Sequence, residues 1–266
     1  MSFSLFFANI KSFWVLTLII ILVLFLYAAI SVAMFDPDNA NNIQQLLDSM
    51  PSAMISAFGF DDVGTTLTGF VATFYYGFVI VMFSMIYSIL VSHGLVCKLT
   101  DNGSMAYLLS TPITRKKIVN TQVIFLLGAF TILVWLPFVL IIIMSASIFP
   151  GMLNVFDIVK LSLIAYFVIV ACGGISFLCS CIFNDAKFSR AFCGGIPIFF
   201  LIMNLLQGVG KQVEWVKYLS IYSFLDINRV LADSGYVWMT SIILLILSVI
   251  LYGASIVVFD KKSFIV

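Results

Sequence analysis

Apolar residues fall in six long blocks along the chain, at about 13–35, 66–96, 118–149, 157–183, 190–209 and 236–259. Each reaches the roughly 20 residues that an α-helix needs to cross the hydrocarbon core of a bilayer. Polar and charged residues collect in the stretches between, at 36–65, 97–117, 150–156, 184–189 and 210–235. The blocks at 66–96 and 118–149 are long enough that tilt, or a portion outside the lipid, is expected. No internal repeat, low-complexity tract or linker to a soluble domain interrupts the pattern. It predicts an all-α integral membrane protein with six transmembrane helices in a single domain over residues 1–266. Pro137 and Pro197 lie inside blocks, where each removes an intrahelical hydrogen bond and kinks or loosens a turn. Gly173-Gly174 and Gly194-Gly195 would let neighbouring helices approach closely.

Two polar stretches carry a pattern of their own. In 36–65, Met50-Pro51 reads as a helix start, because proline lacks the N–H that a first turn leaves unused. Met50, Met54 and Phe58 recur every fourth residue, with Ser52 and Ser56 on another face. A short amphipathic helix at the membrane surface and a packed re-entrant loop both fit. In 97–117, Asp101-Asn102-Gly103 would end the second helix. Ser104 would cap a short helix through Leu109 that presents Met105, Leu108 and Leu109. Ser110-Thr111-Pro112 would stop it and open the third span, with Thr111 as cap and Pro112 at the first helical position. Arg115, Lys116 and Lys117 would hold the end of that span at headgroup level. A knob for a soluble partner and an ordinary tight turn with membrane anchors are both open readings.

Composition changes little and charge changes more. The chain is 63% hydrophobic and 9% charged, against roughly 25% charged in soluble domains. Lipid is therefore its main solvent, and no nucleic-acid partner is expected. With the N-terminus inside, the cytoplasmic side gathers Lys11, Lys98, Arg115, Lys116, Lys117, Lys187, Arg190, Lys261 and Lys262, nine of the 13 basic residues. The 36–65 loop has five aspartates and no basic residue. The positive-inside rule thus puts both termini in the cytoplasm. The block from Phe13 to Phe35 is about 23 residues, longer than the roughly 7–15 of a signal h-region, and reads as an uncleaved first helix.

The search for enzyme chemistry finds little. His93 has no carboxylate, cysteine or second histidine at ligand spacing, and the five cysteines sit in or beside apolar runs as small fillers. Gly208 and Gly210 before Lys211 do not fit a phosphate loop. Ion-coupled transporters keep ionisable groups at mid-bilayer. Here the block centres hold only mild polar residues such as Asn204 and Gln207, which share one helix face. Those two could pack across to another helix or line a translocation path. Energy for any transport would come from elsewhere.

The stretch "GSMAYLLSTPITRKKIV" resembles the cytoplasmic loop of ABC-2 type permeases (type V exporter fold). Asp101, Gly103, Leu108, Leu109, Ser110, Pro112, Ile113, Thr114 and Arg115 match its pattern. The ending "VVFDKKSFIV" resembles the family's close, and "NIKSFW" its amphipathic N-terminal helix. The glutamates that often precede the glycine in that family are absent here, where the sequence reads "CKLTDNG", and Asp101 is the one substitute. The resemblance implies a permease with no catalytic residue, metal or cofactor of its own, ATP and Mg²⁺ being handled by a separate ATPase chain. Ser104 to Leu109 would be the coupling helix, with Asp101, Gly103, Tyr107, Ser110 and Pro112 around it. Two permease copies, expected to be identical, would each bind one ATPase in a bacterial cytoplasmic membrane. The cargo would be amphipathic or hydrophobic, such as a peptide toxin of the phenol-soluble modulin kind or an antibiotic peptide. The alternatives are an ion-gradient-driven secondary transporter or channel, and a membrane scaffold without transport.

Overall fold

The computed structural model describes residues 2–36, 66–101, 103, 114–183, 185–207, 215–216 and 218–262, with backbone alone at 98, 101, 186 and 207. The expected surface helix around Met50 and the expected coupling helix Ser104–Leu109 lie outside those residues. Eight α-helices follow in order among the described residues: α1 (Phe3–Ala33), α2 (Leu67–Leu95), α3 (Cys97–Asp101), α4 (Arg115–Ile148), α5 (Val155–Ile182), α6 (Ala186–Gln207), α7 (Ile227–Ala232) and α8 (Ser234–Lys261). A 3-10 turn at Ile221–Phe224 precedes α7, and no strand occurs among the described residues. The helices α1, α2, α4, α5, α6 and α8 are the six long and apolar enough to cross a membrane. The chain is a multi-pass membrane protein.

The first helix begins earlier than the apolar pattern suggests. Rather than a separate amphipathic piece followed by a span from 13, one helix of 31 residues runs from Phe3. At about 1.5 Å per residue it is ~46 Å long, beyond the roughly 30 Å hydrocarbon core. Nothing between Phe3 and Ala33 is a glycine or proline, so Asn9, Lys11 and Ser12 change the polarity without stopping the helix. Similarly, α4 and α6 run unbroken through Pro137 and Pro197.

The hub is α5. Of its most apolar window 72% is buried, against 28% for α1 and α8. Around it stand α8, α4, α2 and α6, while α1 docks outside on α4 and α2. Small residues make this centrality possible, because backbones can approach only where side chains are short. A Cβ on Gly173 would lie 2.6 Å from Cζ of Phe130 in α4 and 3.1 Å from Oη of Tyr252 in α8. One on Gly174 would lie 3.1 Å from Cβ of Leu251. The second glycine pair behaves differently. A Cβ on Gly194 would make ordinary contact with Ile89 at 3.5 Å, and one on Gly195 would meet nothing within 4 Å. Close approach therefore belongs to the first pair alone.

Polar ties cross the bundle where hydroxyls are buried in apolar surroundings. Tyr252 Oη donates to Val170 O at 3.2 Å, and Thr17 Oγ1 meets Tyr87 Oη at 3.0 Å. Residues Ala72–Val79 of α2 form a π-helical segment that turns the adjacent Tyr75 and Tyr76 both inward. The two rings meet edge to face at 5.1 Å, and Tyr76 Oη meets Ser162 Oγ of α5 at 2.6 Å. Tyr76→Phe should lower stability by only about 1 kcal/mol. Ser162 keeps its bond to Ile158 O at 2.8 Å, so no acceptor or donor is stranded on α5. Thermal unfolding of the purified chain in detergent checks this; a loss several times larger would mean that the tyrosine holds the π segment itself.

At the bundle end holding Phe35 and Thr66, Phe35 packs on Phe70 and Phe149 with ring centroids 5.9 and 5.5 Å apart. Asn154 caps α5 by accepting from Phe156 N at 3.2 Å. Its Nδ2 donates to Asp157 Oδ2 at 2.6 Å, and Asp157 Oδ1 lies 2.6 Å from Lys160 Nζ. The Lys160 ammonium also donates to Leu231 O of α7 at 3.4 Å.

Candidate functional site

The opposite end of the bundle carries both Ser2 and Lys262 and is called the terminal face below. Both stems of the 102–113 segment emerge from it. On the entry side α2 stops at Leu95, because Val96 takes a non-helical conformation (φ −123°, ψ −68°). The five-residue α3 then runs to Asp101, and Gly103 adopts φ +69°, the left-handed geometry that ends helices at low cost only for glycine. Two bonds pin this stem. Gln122 Nε2 of α4 donates to Leu95 O at 2.5 Å, and Cys97 N donates to Ser180 Oγ of α5 at 3.2 Å.

On the exit side Thr114 is extended (φ −68°, ψ 147°) and α4 begins at Arg115. The third span thus starts after Thr114, three residues beyond the expected start at Pro112, because the extended backbone of Thr114 prevents a continuous helix from the proline. Arg115 does more than anchor to headgroups. Its Nη1 donates to Lys262 O at 2.8 Å and to Asp260 O at 3.4 Å, at the last turn of α8. Lys262 in turn sends Nζ to Cys181 O and Phe183 O, both at 2.8 Å, at the end of α5. Carbonyls at helix C-termini lack intrahelical partners and carry partial negative charge, so cations satisfy them well. Lys116 pairs with Asp260 Oδ2 at 3.4 Å across an exposed surface, where such pairs contribute little. Lys117 is exposed. Its carbonyl accepts from Thr121 Oγ1 at 2.7 Å, and that oxygen accepts from Ser2 N at 2.9 Å.

Burial lowers the pKa of Lys262 from its ordinary value, while the nearby Cys181 and Cys97 oppose the shift more weakly. The folded state therefore gives up this proton more readily than the unfolded chain. Stability from the group is least at neutral pH and rises as pH climbs through the lowered value toward the ordinary ~10.4. A neutral amine still has two N–H donors for its two carbonyls. Thermal unfolding of wild type and Lys262→Met across pH 7 to about 10.4 should show the gap between them widening with pH. A gap that narrows contradicts the burial assignment.

Of the sequence-derived site residues, Asp101 ends α3 and Gly103 supplies the left-handed turn, while Ser104, Met105, Tyr107, Leu108, Leu109, Ser110 and Pro112 lie outside the described residues. Asn204 is remote from this face, half-buried near the far end of α6, where its Oδ1 accepts from Ser223 Oγ at 3.4 Å. Gln207 is the last residue of α6. His93 bridges α2 to α6, with Nδ1 3.3 Å from Ser189 Oγ. The five cysteines are buried thiols, and no grouping among the described residues could hold a metal ion. Sequence reasoning missed Gln122, Ser180 and the inward use of Lys262. A glutamine one turn inside an apolar block was the available signal for the first; the lysine pair closing the chain looked simply like surface charge.

No curated protein matches the chain. The sequence profile described as ABC-2 family transporter protein matches residues 9–264.

Proposed function

Because the chain belongs to the ABC-2 family of transporter proteins, we propose that it is the membrane-spanning permease subunit of an ATP-driven exporter in a bacterial cytoplasmic membrane. Permeases of this family generally work with an ATPase subunit. In this reading the terminal face looks into the cytoplasm, and the segment Ser104–Leu109 docks the ATPase through Met105, Tyr107, Leu108 and Leu109. Two identical copies pair, each carrying one ATPase, and ATP with Mg²⁺ acts on that partner chain.

The observation that carries this reading is the anchoring of both stems of the 102–113 segment. A segment pushed by a partner does work on the bundle only if its ends cannot slip. Here the entry stem is bonded to α4 and α5, and the exit stem to α8. The charge distribution agrees. Lys160 is the one charged residue that is buried among the described side chains, and it lies near the start of α5 rather than at mid-bilayer, which gives no support to ion coupling. Exposed Trp14 of α1 and Phe192 and Phe199 of α6 offer apolar, aromatic surface. That suits pairing of copies and an amphipathic or hydrophobic cargo.

The test uses the chain co-expressed with its candidate ATPase. A variant with Met105, Leu108 and Leu109 changed to Asp should weaken association at least about a hundredfold, because three apolar anchors become charges that docking must desolvate. Normal co-purification and hydrolysis with this variant would overturn the reading.

A further inference from the structure

We propose that Arg115 and Lys262 are positioning residues that hand displacement of the 102–113 segment to the hub helix α5. This rests on the permease reading above and concerns how the push travels once the ATPase is seated.

Arg115 is the first residue of α4 and follows directly on the exit stem. Whatever moves that stem moves this side chain. Its guanidinium holds the carbonyls of Asp260 and Lys262, and the Lys262 ammonium holds those of Cys181 and Phe183. One end each of α4, α8 and α5 is thereby joined in series by four hydrogen bonds, none longer than 3.4 Å. Every acceptor in the series is a backbone oxygen. A side-chain acceptor could swing aside under load, whereas these can move only with their helices. Both donors are half-buried, so water competes with the ties less than at an exposed pair. The contrast with Lys116 is direct. Its partner is the exposed Asp260 carboxylate, a contact that salt screens.

The series also leads to the most deeply buried of the six long helices, 72% of whose most apolar window is buried. The hub α5 packs on α8, α2, α6 and α4, with Gly173 and Gly174 against Phe130, Leu251 and Tyr252. A shift at its Cys181–Phe183 end must be taken up along that packed length, because close-packed interiors transmit displacement rather than absorb it. An anchoring role would need only the positive charges of Arg115 and Lys262. The relay needs their specific hydrogen bonds, and this difference can be measured.

The experiment uses the complex of the full chain with its ATPase in lipid nanodiscs. Three readouts are taken: ATPase association, stimulation of ATP hydrolysis by this chain, and the ATP-dependent change in amide hydrogen exchange at 114–120 and at 179–185. Wild type should show the exchange change in both segments. Arg115→Lys keeps the charge but loses the planar reach, and Lys262→Gln loses the cation. Each should keep wild-type association and the change at 114–120. Each should lose the change at 179–185, and the stimulation should fall roughly tenfold. Lys262→Arg, which keeps a cation able to donate to both carbonyls, should restore both. Absence of association with wild type would sink the permease reading beneath the proposal. Normal association with unchanged stimulation and exchange in the variants would sink the relay alone. Loss of association in both variants would show that the residues dock or fold rather than transmit, which also overturns the relay.

Discussion

Gly173→Val should abolish accumulation of folded protein in the membrane. The first added carbon alone would sit 2.6 Å from Phe130 Cζ, closer than side-chain carbons pack. Phe130 has no room to yield, being wholly buried and edge-on to Tyr87, with ring centroids 6.2 Å apart. Tyr252 closes the other side, with its hydroxyl committed to Val170 O. Overpacking a tight core by one methylene costs roughly 1–3 kcal/mol, and valine adds three carbons at the crossing of α4, α5 and α8. Marginal total stability cannot absorb several such terms. Gly173→Ala should fold with a loss of about 2 kcal/mol. Gly195→Ala, with nothing within 4 Å of the new carbon, should be neutral or gain up to ~1 kcal/mol in helix propensity. Size-exclusion profiles and thermal unfolding of the three variants check the order. A Gly173→Val protein that elutes and melts like wild type would refute the packing of α5.

Asp157→Ala should destabilise by about 3 kcal/mol, near the lower end for breaking a buried ion pair. The Lys160 side chain is 10% exposed. Without Asp157 it keeps the Leu231 carbonyl at 3.4 Å and the face of Phe156 with its centroid 5.2 Å away. Neither neutralises a full charge in that setting. Asp157 also bonds Asn154 at the cap of α5, so the loss extends to the helix start. The informative comparison is the double variant Asp157→Leu with Lys160→Leu. Replacing both members of a buried pair by apolar groups is often close to neutral, so the double variant should recover most of the loss. Equal unfolding of single and double variants would mean that the cap, rather than the charge, holds this end.

The six spans were legible because membrane helices must be both long and apolar, and few soluble patterns imitate them. The start of α1 was not. Asn9, Lys11 and Ser12 read as a boundary, yet a helix ends at a breaker, not at a change of polarity. The two glycine pairs look alike in sequence and differ in space, because close approach depends on what stands opposite, and only the first pair lies against the packed side chains of Phe130, Leu251 and Tyr252. The π segment over Ala72–Val79 has no compositional mark at all. At the terminal face, the glycine turn at Gly103 and the basic start of α4 were readable from local chemistry. The partners of Arg115 and Lys262 were not, since they are backbone oxygens from residues 145 to 147 and 79 to 81 positions away. A backbone acceptor leaves no signature in the sequence.

The most direct test of the central claim is where the ATPase touches this chain. Amine cross-linking of the purified complex, read by mass spectrometry, can use two groups of lysines. Lys116 and Lys117 are exposed at the start of α4, and Lys187 is exposed near the start of α6; Lys211 and Lys217 lie in the stretch between α6 and α7. The proposed permease predicts cross-links to the ATPase from Lys116, Lys117 and Lys187, and none from Lys211 or Lys217. Cross-links from the latter pair, or a chain that never holds an ATPase, would contradict it.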